Sequence, residues 1–317
     1  MRTITALFVG LGSIGTRHLK NLTNLCADRG WTLQADALRS DLSRPLRDGV
    51  AALLHAQYTD LADAPAHYDM VFITNPTSLH ADALTRVRGR GGALFIEKPI
   101  FSADQTGLDL ADCLPVGQKA YVAAPMRWCG VMLALKDRLP GLHPYCARVI
   151  CSSYLPDWRP GVDYRTVYSA RKALGGGVTI DLIHEWDYLV ELFGVPEKLY
   201  NFKGTYSELE IDSDDLSVYI AKYPTLLAEV HLDYFGRGYR RSIELFCHDG
   251  SYLADFGAGT LTLPDGTVQH YEEDVNRRYE REMEYFVDYA LTGCGESCNP
   301  PALALKVLKL TLGENVQ

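Results

Sequence analysis

Short apolar runs alternate with helix-like stretches through the first 125 residues or so. Ile4-Thr5-Ala6-Leu7-Phe8-Val9 reads as a buried strand, followed by glycine punctuation and an amphipathic stretch from Ile14 to about Ala27. Leu33 to Leu38 is a second strand, and Met70-Val71-Phe72-Ile73-Thr74 a third. Ala93-Leu94-Phe95-Ile96 and Ala120-Tyr121-Val122-Ala123 make two more. Apolar strands separated by helical spacers predict βαβ units, hence a doubly wound parallel sheet with helices on both faces.

The texture changes after about Met126. Val149 to Tyr154, Leu216 to Ala221, Ala228 to Tyr234 and Ser242 to Cys247 are strand candidates without regular helices between them. Leu261-Thr262-Leu263-Pro264-Asp265-Gly266-Thr267-Val268 resembles a hairpin with an Asp-Gly turn. Helices are expected from Val178 to Phe193, from Arg277 to Leu291 and from Pro301 to Leu312. The pattern predicts an α/β chain in two domains. A doubly wound α/β domain covers residues 1–124, and a second domain with a mostly antiparallel sheet covers 125–317. The length of 317 residues exceeds the usual size of one core, which agrees.

Composition narrows the function classes. A net charge of −9 argues against broad nucleic-acid binding. The apolar runs fall far short of the roughly 20 residues a membrane helix needs. Met1-Arg2-Thr3-Ile4 leads straight into a strand, leaving no room for a signal peptide, so a cytoplasmic location is expected. The eight cysteines are scattered with no zinc-type spacing, and no metal site is expected. Cys294 and Cys298 form the nearest pair, read as free thiols of a reducing compartment against a disulfide or redox alternative.

Candidate chemistry begins at Gly10-Leu11-Gly12-Ser13-Ile14-Gly15, which fits the Gly-x-Gly-x-x-Gly fingerprint. Gly10 permits the tight turn, Gly12 lets backbone approach a pyrophosphate, and Gly15 allows close helix–strand packing. The helix that follows, opened by Ser13 and Ile14, offers unsatisfied N–H groups and its positive dipole end to phosphate. A strand just before and a helix just after supply the context the motif requires. The end of the second strand sets the choice of cofactor. Asp36 lies about 20 residues beyond Gly15, where an acid would take the ribose 2′-hydroxyl of NAD. Yet Ala37 and Leu38 continue the strand, so its carboxyl end falls at Arg39-Ser40, a pair suited to the 2′-phosphate of NADP. NADP is the preferred expectation over NAD.

Further on, the third strand leads into Ile73-Thr74-Asn75-Pro76-Thr77-Ser78-Leu79-His80, and the fourth into Ile96-Glu97-Lys98-Pro99. Arg127-Trp128 and Gly175-Gly176-Gly177-Val178-Thr179-Ile180-Asp181-Leu182-Ile183-His184-Glu185-Trp186-Asp187 follow. In this order, with the glycine fingerprint, these motifs resemble the glucose–fructose oxidoreductase/inositol dehydrogenase (Gfo/Idh/MocA) family across most of the chain. The resemblance implies that Thr74, Asn75, Pro76, His80, Glu97, Lys98 and Arg127 contribute to the cofactor site. It implies that Lys98 lies near nicotinamide and substrate, that Asp181 and His184 face them from the second domain, and that the outer sheet face makes a homodimer or homotetramer. The common family spacing is Asp-x-x-x-His, whereas two residues separate Asp181 and His184 here; on one helix the pair would still share a face. The stretch around Trp158, Arg159, Tyr164 and Arg165 resembles a subgroup associated with bacterial surface-sugar and sugar-nucleotide pathways. Those four residues are candidates for substrate contact.

Hydride transfer between nicotinamide and a sugar hydroxyl or keto carbon needs a proton-transfer group and donors to the carbonyl. His184 is assigned as acid/base, Lys98 as orienting donor and relay, and Asp181 as the residue positioning one of them. The roles of Lys98 and His184 are exchangeable at this level. Two other functions compete: an enzyme that retains NAD for transient oxidation with no net redox change, and a non-catalytic NADP sensor or scaffold.

Overall fold

The computed structural model describes residues 2–47, 49–292 and 295–316, so Cys294, one half of the cysteine pair noted above, lies outside the described residues. The chain forms two compact units, one of residues 1–123 and 279–305, the other of residues 124–278 and 306–317.

In the first unit, β1 (Thr3–Val9) leads into α1 (Ser13–Asp28), followed by β2 (Thr32–Leu38), β3 (Ala56–Tyr58) and β4 (Tyr68–Ile73). Then come α2 (His80–Arg86), β5 (Gly91–Ile96), α3 (Leu110–Cys113) and β6 (Lys119–Val122). The strands are parallel in the order β3-β2-β1-β4-β5-β6. Strand order reverses between β1 and β4, and open α/β sheets bind ligands at such a switch point, outside the carboxyl ends of the strands. Near-continuous burial from Ala6 to Val9, Met70 to Ile73 and Ala93 to Ile96 reflects a sheet covered on both faces.

The second unit opens with α4 (Gly130–Arg138) and β7 (Cys146–Tyr154). It continues through short turns to α5 (Val178–Asp181), α6 (His184–Phe193) and β8 (Lys198–Gly204). After β9 (Leu216–Lys222), β10 (Leu227–Asp233), β11 (Phe235–Cys247) and β12 (Gly250–Asp255) come β13 (Thr260–Thr262) and β14 (Val268–His270). Its eight-stranded sheet runs β14-β13-β12-β11-β7-β10-β9-β8, antiparallel except for the β7–β10 pair. Period-2 alternation points Ala147, Val149 and Cys151 of β7 and Ala228, Val230 and Leu232 of β10 inward. Trp186 of α6 covers that face, its ring 5.2 Å from Tyr219. The opposite face, carrying Ile150, Val218, Ile220 and His231, is open.

The helices α7 (Val275–Thr292) and α8 (Pro301–Thr311) close the chain. A single cut at residue 124 misses their path, because from Tyr279 to Leu305 the chain belongs to the first unit. Met283, Phe286 and Val287 recur at helical spacing and are buried in the core with Phe72, Phe95 and Tyr121, while Tyr121 Oη donates to Glu282 Oε1 at 2.8 Å. Burial of that stripe draws the helix back across the linear boundary.

Candidate functional site

The three glycines of the fingerprint are required for different reasons. Gly10 has φ +87°, and a Cβ there would lie 2.8 Å from Asn75 Cα. A Cβ on Gly15 would lie 2.7 Å from both Gly10 O and Thr74 Oγ1. Gly12 has an ordinary φ of −72°, and a Cβ there would meet nothing within 4 Å. The first and third are closed in by protein, whereas the second opens outward at the start of α1. That helix has no side-chain cap and no acidic residue in its first turn, so its leading N–H groups and positive end are left to a ligand. Thr16 Oγ1 and Asn75 Oδ1, both buried, have no hydrogen-bond partner among the described residues. An open glycine, an uncapped helix start and orphaned polar atoms fit a dinucleotide pyrophosphate.

The ends of β4 and β5 are tied to this loop and to each other. Thr74 Oγ1 donates to Gly10 O at 2.6 Å, and Asn75 Nδ2 donates to Leu79 O. His80 is fully buried, with Nε2 3.1 Å from Asn75 O and Nδ1 3.1 Å from Ile100 O. Its place in the sequence suggested a cofactor contact; the structure makes it instead a staple between the turn after β4 and the turn after β5. Burial pushes the His80 pKa down, partly opposed by the two carbonyl contacts and the charge of Glu97. Glu97 directly follows β5, with Oε1 2.5 Å from Nε2 of His18, a buried side chain of α1 that sequence reasoning passed over. Burial raises the Glu97 carboxyl, but the His18 bond, the His18 charge and the Lys98 charge outweigh it and hold the group below its ordinary range. An ionised carboxylate therefore sits beside half-buried Lys98, accepting from the Lys98 backbone N–H at 3.2 Å. The signal for His18 was its position: three residues after Gly15, it falls on the sheet-facing side of α1 with Leu19, Leu22 and Cys26.

Within β2, with Ala37 and Leu38 still to follow, Asp36 pairs in register with Leu7 and Ala56 and is buried. Its oxygens take Tyr68 Oη at 2.8 Å and face His55 Nδ1 at 3.1 Å. Arg39 follows the strand, donating to Gln57 Oε1 at 2.9 Å and to the Arg44 carbonyl, and Ser40 next to it is exposed.

In the second unit the expected single helix is broken. Asp181 is the last residue of α5 and His184 the first of α6, with Leu182 and Ile183 between them. The two do not share a helix face; Leu182, at φ −98° and ψ 33°, leaves the helical path. Asp181 is buried, and both its oxygens are engaged: Tyr168 Oη donates to Oδ1 and Tyr234 Oη to Oδ2, each at 2.5 Å. His184, half-buried, heads a helix clamped by charge. Arg241 of β11 grips fully buried Glu185 at 2.7 and 3.0 Å. Arg127 grips Asp187 at 2.9 and 2.8 Å and Glu191 at 2.6 Å, and Lys136 also pairs with Glu191. Arg127, expected at the cofactor, is a buried anchor of α6: a nearly inaccessible guanidinium, 3% exposed, needs paired carboxylates around it. Among the four candidate substrate residues, Trp158 donates Nε1 to Ser153 Oγ and packs edge-on to Tyr234 at 5.2 Å. Tyr164 Oη accepts from Glu210 N, Arg165 pairs with Asp163 and Glu210, and Arg159 is exposed.

The sequence profile of the Gfo/Idh/MocA family, an oxidoreductase family with an NAD-binding Rossmann fold, matches residues 4–120. The match places the first 120 residues or so with the NAD-binding Rossmann domains of that family. No curated protein sequence matches it significantly. Solved structures share the fold over nearly the whole length. An oxidoreductase from Agrobacterium radiobacter, in complex with NAD+, L-tartaric acid and magnesium, superposes with a TM-score of 0.79 at 17% identity, covering 98% of this chain and 95% of that one. The WlbA dehydrogenase from Bordetella pertussis, in complex with NADH and UDP-GlcNAcA, gives 0.75 at 19%, covering 98% and 95%. The UDP-N-acetylglucosamine 3-dehydrogenase GnnA from Acidithiobacillus ferrooxidans gives 0.71 at 17%, covering 99% and 97%. The cradle around Gly12 lies inside the stretch that matches this family's NAD-binding Rossmann fold.

Proposed function

We propose that the chain transfers a hydride between NADP and a hydroxyl or keto carbon of a sugar, with sugar nucleotides as the first substrate class to test. The observation that carries this reading is the open Gly12 at an uncapped helix start, in the same unit and on the same sheet edge as Lys98. Dinucleotides lie across the carboxyl ends of such strands, with the adenosine half toward β2 and the other half toward β5. Gly12, Ser13, Ile14 and Gly15 would hold the pyrophosphate, with Thr74, Asn75 and Pro76 shaping the floor. Arg39 and Ser40 would take the 2′-phosphate, a choice supported by the engagement of Asp36 with Tyr68 and His55. The sugar-nucleotide class is supported by the neighbours WlbA and GnnA and by the aromatic and basic residues Trp158, Arg159 and Tyr164 in the second unit.

The bound nicotinamide supplies the hydride donor or acceptor; the chain must move the proton and orient the carbon. Lys98, held at the end of β5 beside ionised Glu97, donates to the substrate oxygen as carbonyl character develops. His184 carries the proton to or from that oxygen, at the head of a helix that three carboxylates fix in place. Fixing the helix fixes the imidazole, and positioning of this kind is a large share of catalysis.

The test is turnover of UDP-N-acetylglucosamine and related sugar nucleotides with NADP+ and NAD+, followed by nicotinamide absorbance. Lys98→Ala and His184→Ala are expected to bind NADPH normally and to lose about 100-fold or more of turnover. Full activity in both variants would overturn the assignment.

A further inference from the structure

Asp181 ends α5, where a carboxylate gains nothing from the helix dipole, and it is 8% exposed. Each of its oxygens already accepts a phenol proton at 2.5 Å. A substrate hydroxyl cannot meet this carboxylate without displacing one of the two tyrosines. The tyrosines differ: Tyr234 is fully buried under Trp158, whereas the Tyr168 residue is 44% exposed. The cluster therefore meets the outside through Tyr168.

The turn that carries Tyr168 is fixed in advance. Ser213 Oγ donates to Ser169 O at 2.7 Å, and Asp212 N donates to Ala170 O at 3.1 Å. Gly176 passes so close over the Tyr168 and Ser169 carbonyls that no side chain fits there. A residue aimed by its backbone, its neighbours and a buried carboxylate has the support a binding group needs. A tyrosine hydroxyl has one proton and two lone pairs. With the proton committed to Asp181, the oxygen has only acceptor capacity left.

We propose that Tyr168 is a specificity-determining residue that accepts a hydrogen bond from a substrate hydroxyl, and that Asp181 is its positioning residue rather than one that positions Lys98 or His184. The proposal rests on the reading that the chain acts on a polyhydroxylated sugar. It selects for a donor at that point of the ligand, because a keto or ether oxygen there would face lone pairs. Burial and the Asp181 charge and bond raise the Tyr168 phenol, with Ser169 and exposed Arg159 opposing weakly, so Tyr168 stays protonated through neutral pH. Tyr234 is raised by burial and by Asp181, Tyr168 and Asp214.

The experiment has two arms. In the first, ultraviolet difference titration of the free protein follows phenol ionisation in the wild type, Tyr168→Phe and Asp181→Asn. Asp181→Asn is expected to lower the titration of these phenols while burial still holds them above the ordinary range, and Tyr168→Phe in that background to remove one of them. An unchanged titration in Asp181→Asn would overturn the cluster. In the second, NADP+-loaded protein is assayed with UDP-N-acetylglucosamine. Tyr168→Phe is expected to raise KM about tenfold, the effect of one hydrogen bond, with NADPH affinity unchanged. Asp181→Asn lets the amide donate to one phenol, freeing a Tyr168 proton, so alcohol binding weakens while binding of the keto product strengthens. An unchanged KM in Tyr168→Phe would overturn the proposal. A wild type that binds NADPH but turns over no sugar nucleotide would instead overturn the substrate reading, and the proposal with it.

Discussion

Gly12 and Gly15 lie three residues apart and answer to different constraints. A Cβ on Gly15 would collide with backbone and Thr74, so Gly15→Ala is expected to destabilise the fold by roughly 1–3 kcal/mol, read by chemical denaturation. Gly12 has room for a methyl and a φ that alanine adopts, so Gly12→Ala should stay within about 1 kcal/mol of the wild type. Its NADPH affinity should fall by about tenfold or more, because the methyl occupies the space where the pyrophosphate approaches. A Gly12→Ala variant that binds NADPH as the wild type does would contradict the cradle. The glycines were legible because spacing alone states their geometry. Arg127 and Tyr168 were not. A cation in a motif reads the same whether it faces a ligand or a buried carboxylate, and Arg127 turns to Asp187 and Glu191, far along the chain. Tyr168 lies in an irregular loop whose partner Asp181 is fixed by the tertiary fold.

At the scale of elements, apolar periodicity located every strand it proposed, since burial on both faces or one face leaves a direct imprint. It missed the break at Leu182-Ile183, because apolar residues at 178, 180, 182, 183 and 186 continue the helical pattern through it. Tertiary bonds override the pattern there: Thr179 N and Val178 N donate to Asp214, fixing the short α5. The staple between β4 and β5 has a pH consequence. The folded His80 pKa is depressed by burial, while the unfolded value is near 6.5. Above about 6.5 both states leave the ring neutral, and below it the unfolded chain binds a proton that the folded one refuses. Stability is thus expected to fall as pH drops from about 6.5 toward the folded pKa. Thermal melts of wild type and His80→Gln should show a shallower loss across that window in the variant. Parallel slopes would remove the buried neutral histidine from the account.

In the whole molecule, no described residue covers one face of the second unit's sheet. Tyr200 and Phe202 of β8 are 52% and 75% exposed, and Val218, Ile220, Ile150 and His231 line a groove of about 390 Å³. An apolar face of this kind is expected to pair with a second copy. Light scattering should find an oligomer for the wild type and a monomer for Val218→Arg/Ile220→Lys; a monomeric wild type would contradict the pairing. The two-unit plan was visible as a change of texture near Met126. The return of residues 279–305 was not, because an amphipathic helix states that it has a partner but not which one. The first unit is expected to bind a nicotinamide dinucleotide, NADP by preference. Fluorescence titration of purified protein with NADPH and NADH, after checking for co-purified dinucleotide, tests it most directly. Saturable binding is expected, tighter for NADPH, with that preference lost in Arg39→Ala; binding of neither dinucleotide would rule out a nicotinamide site in the first unit.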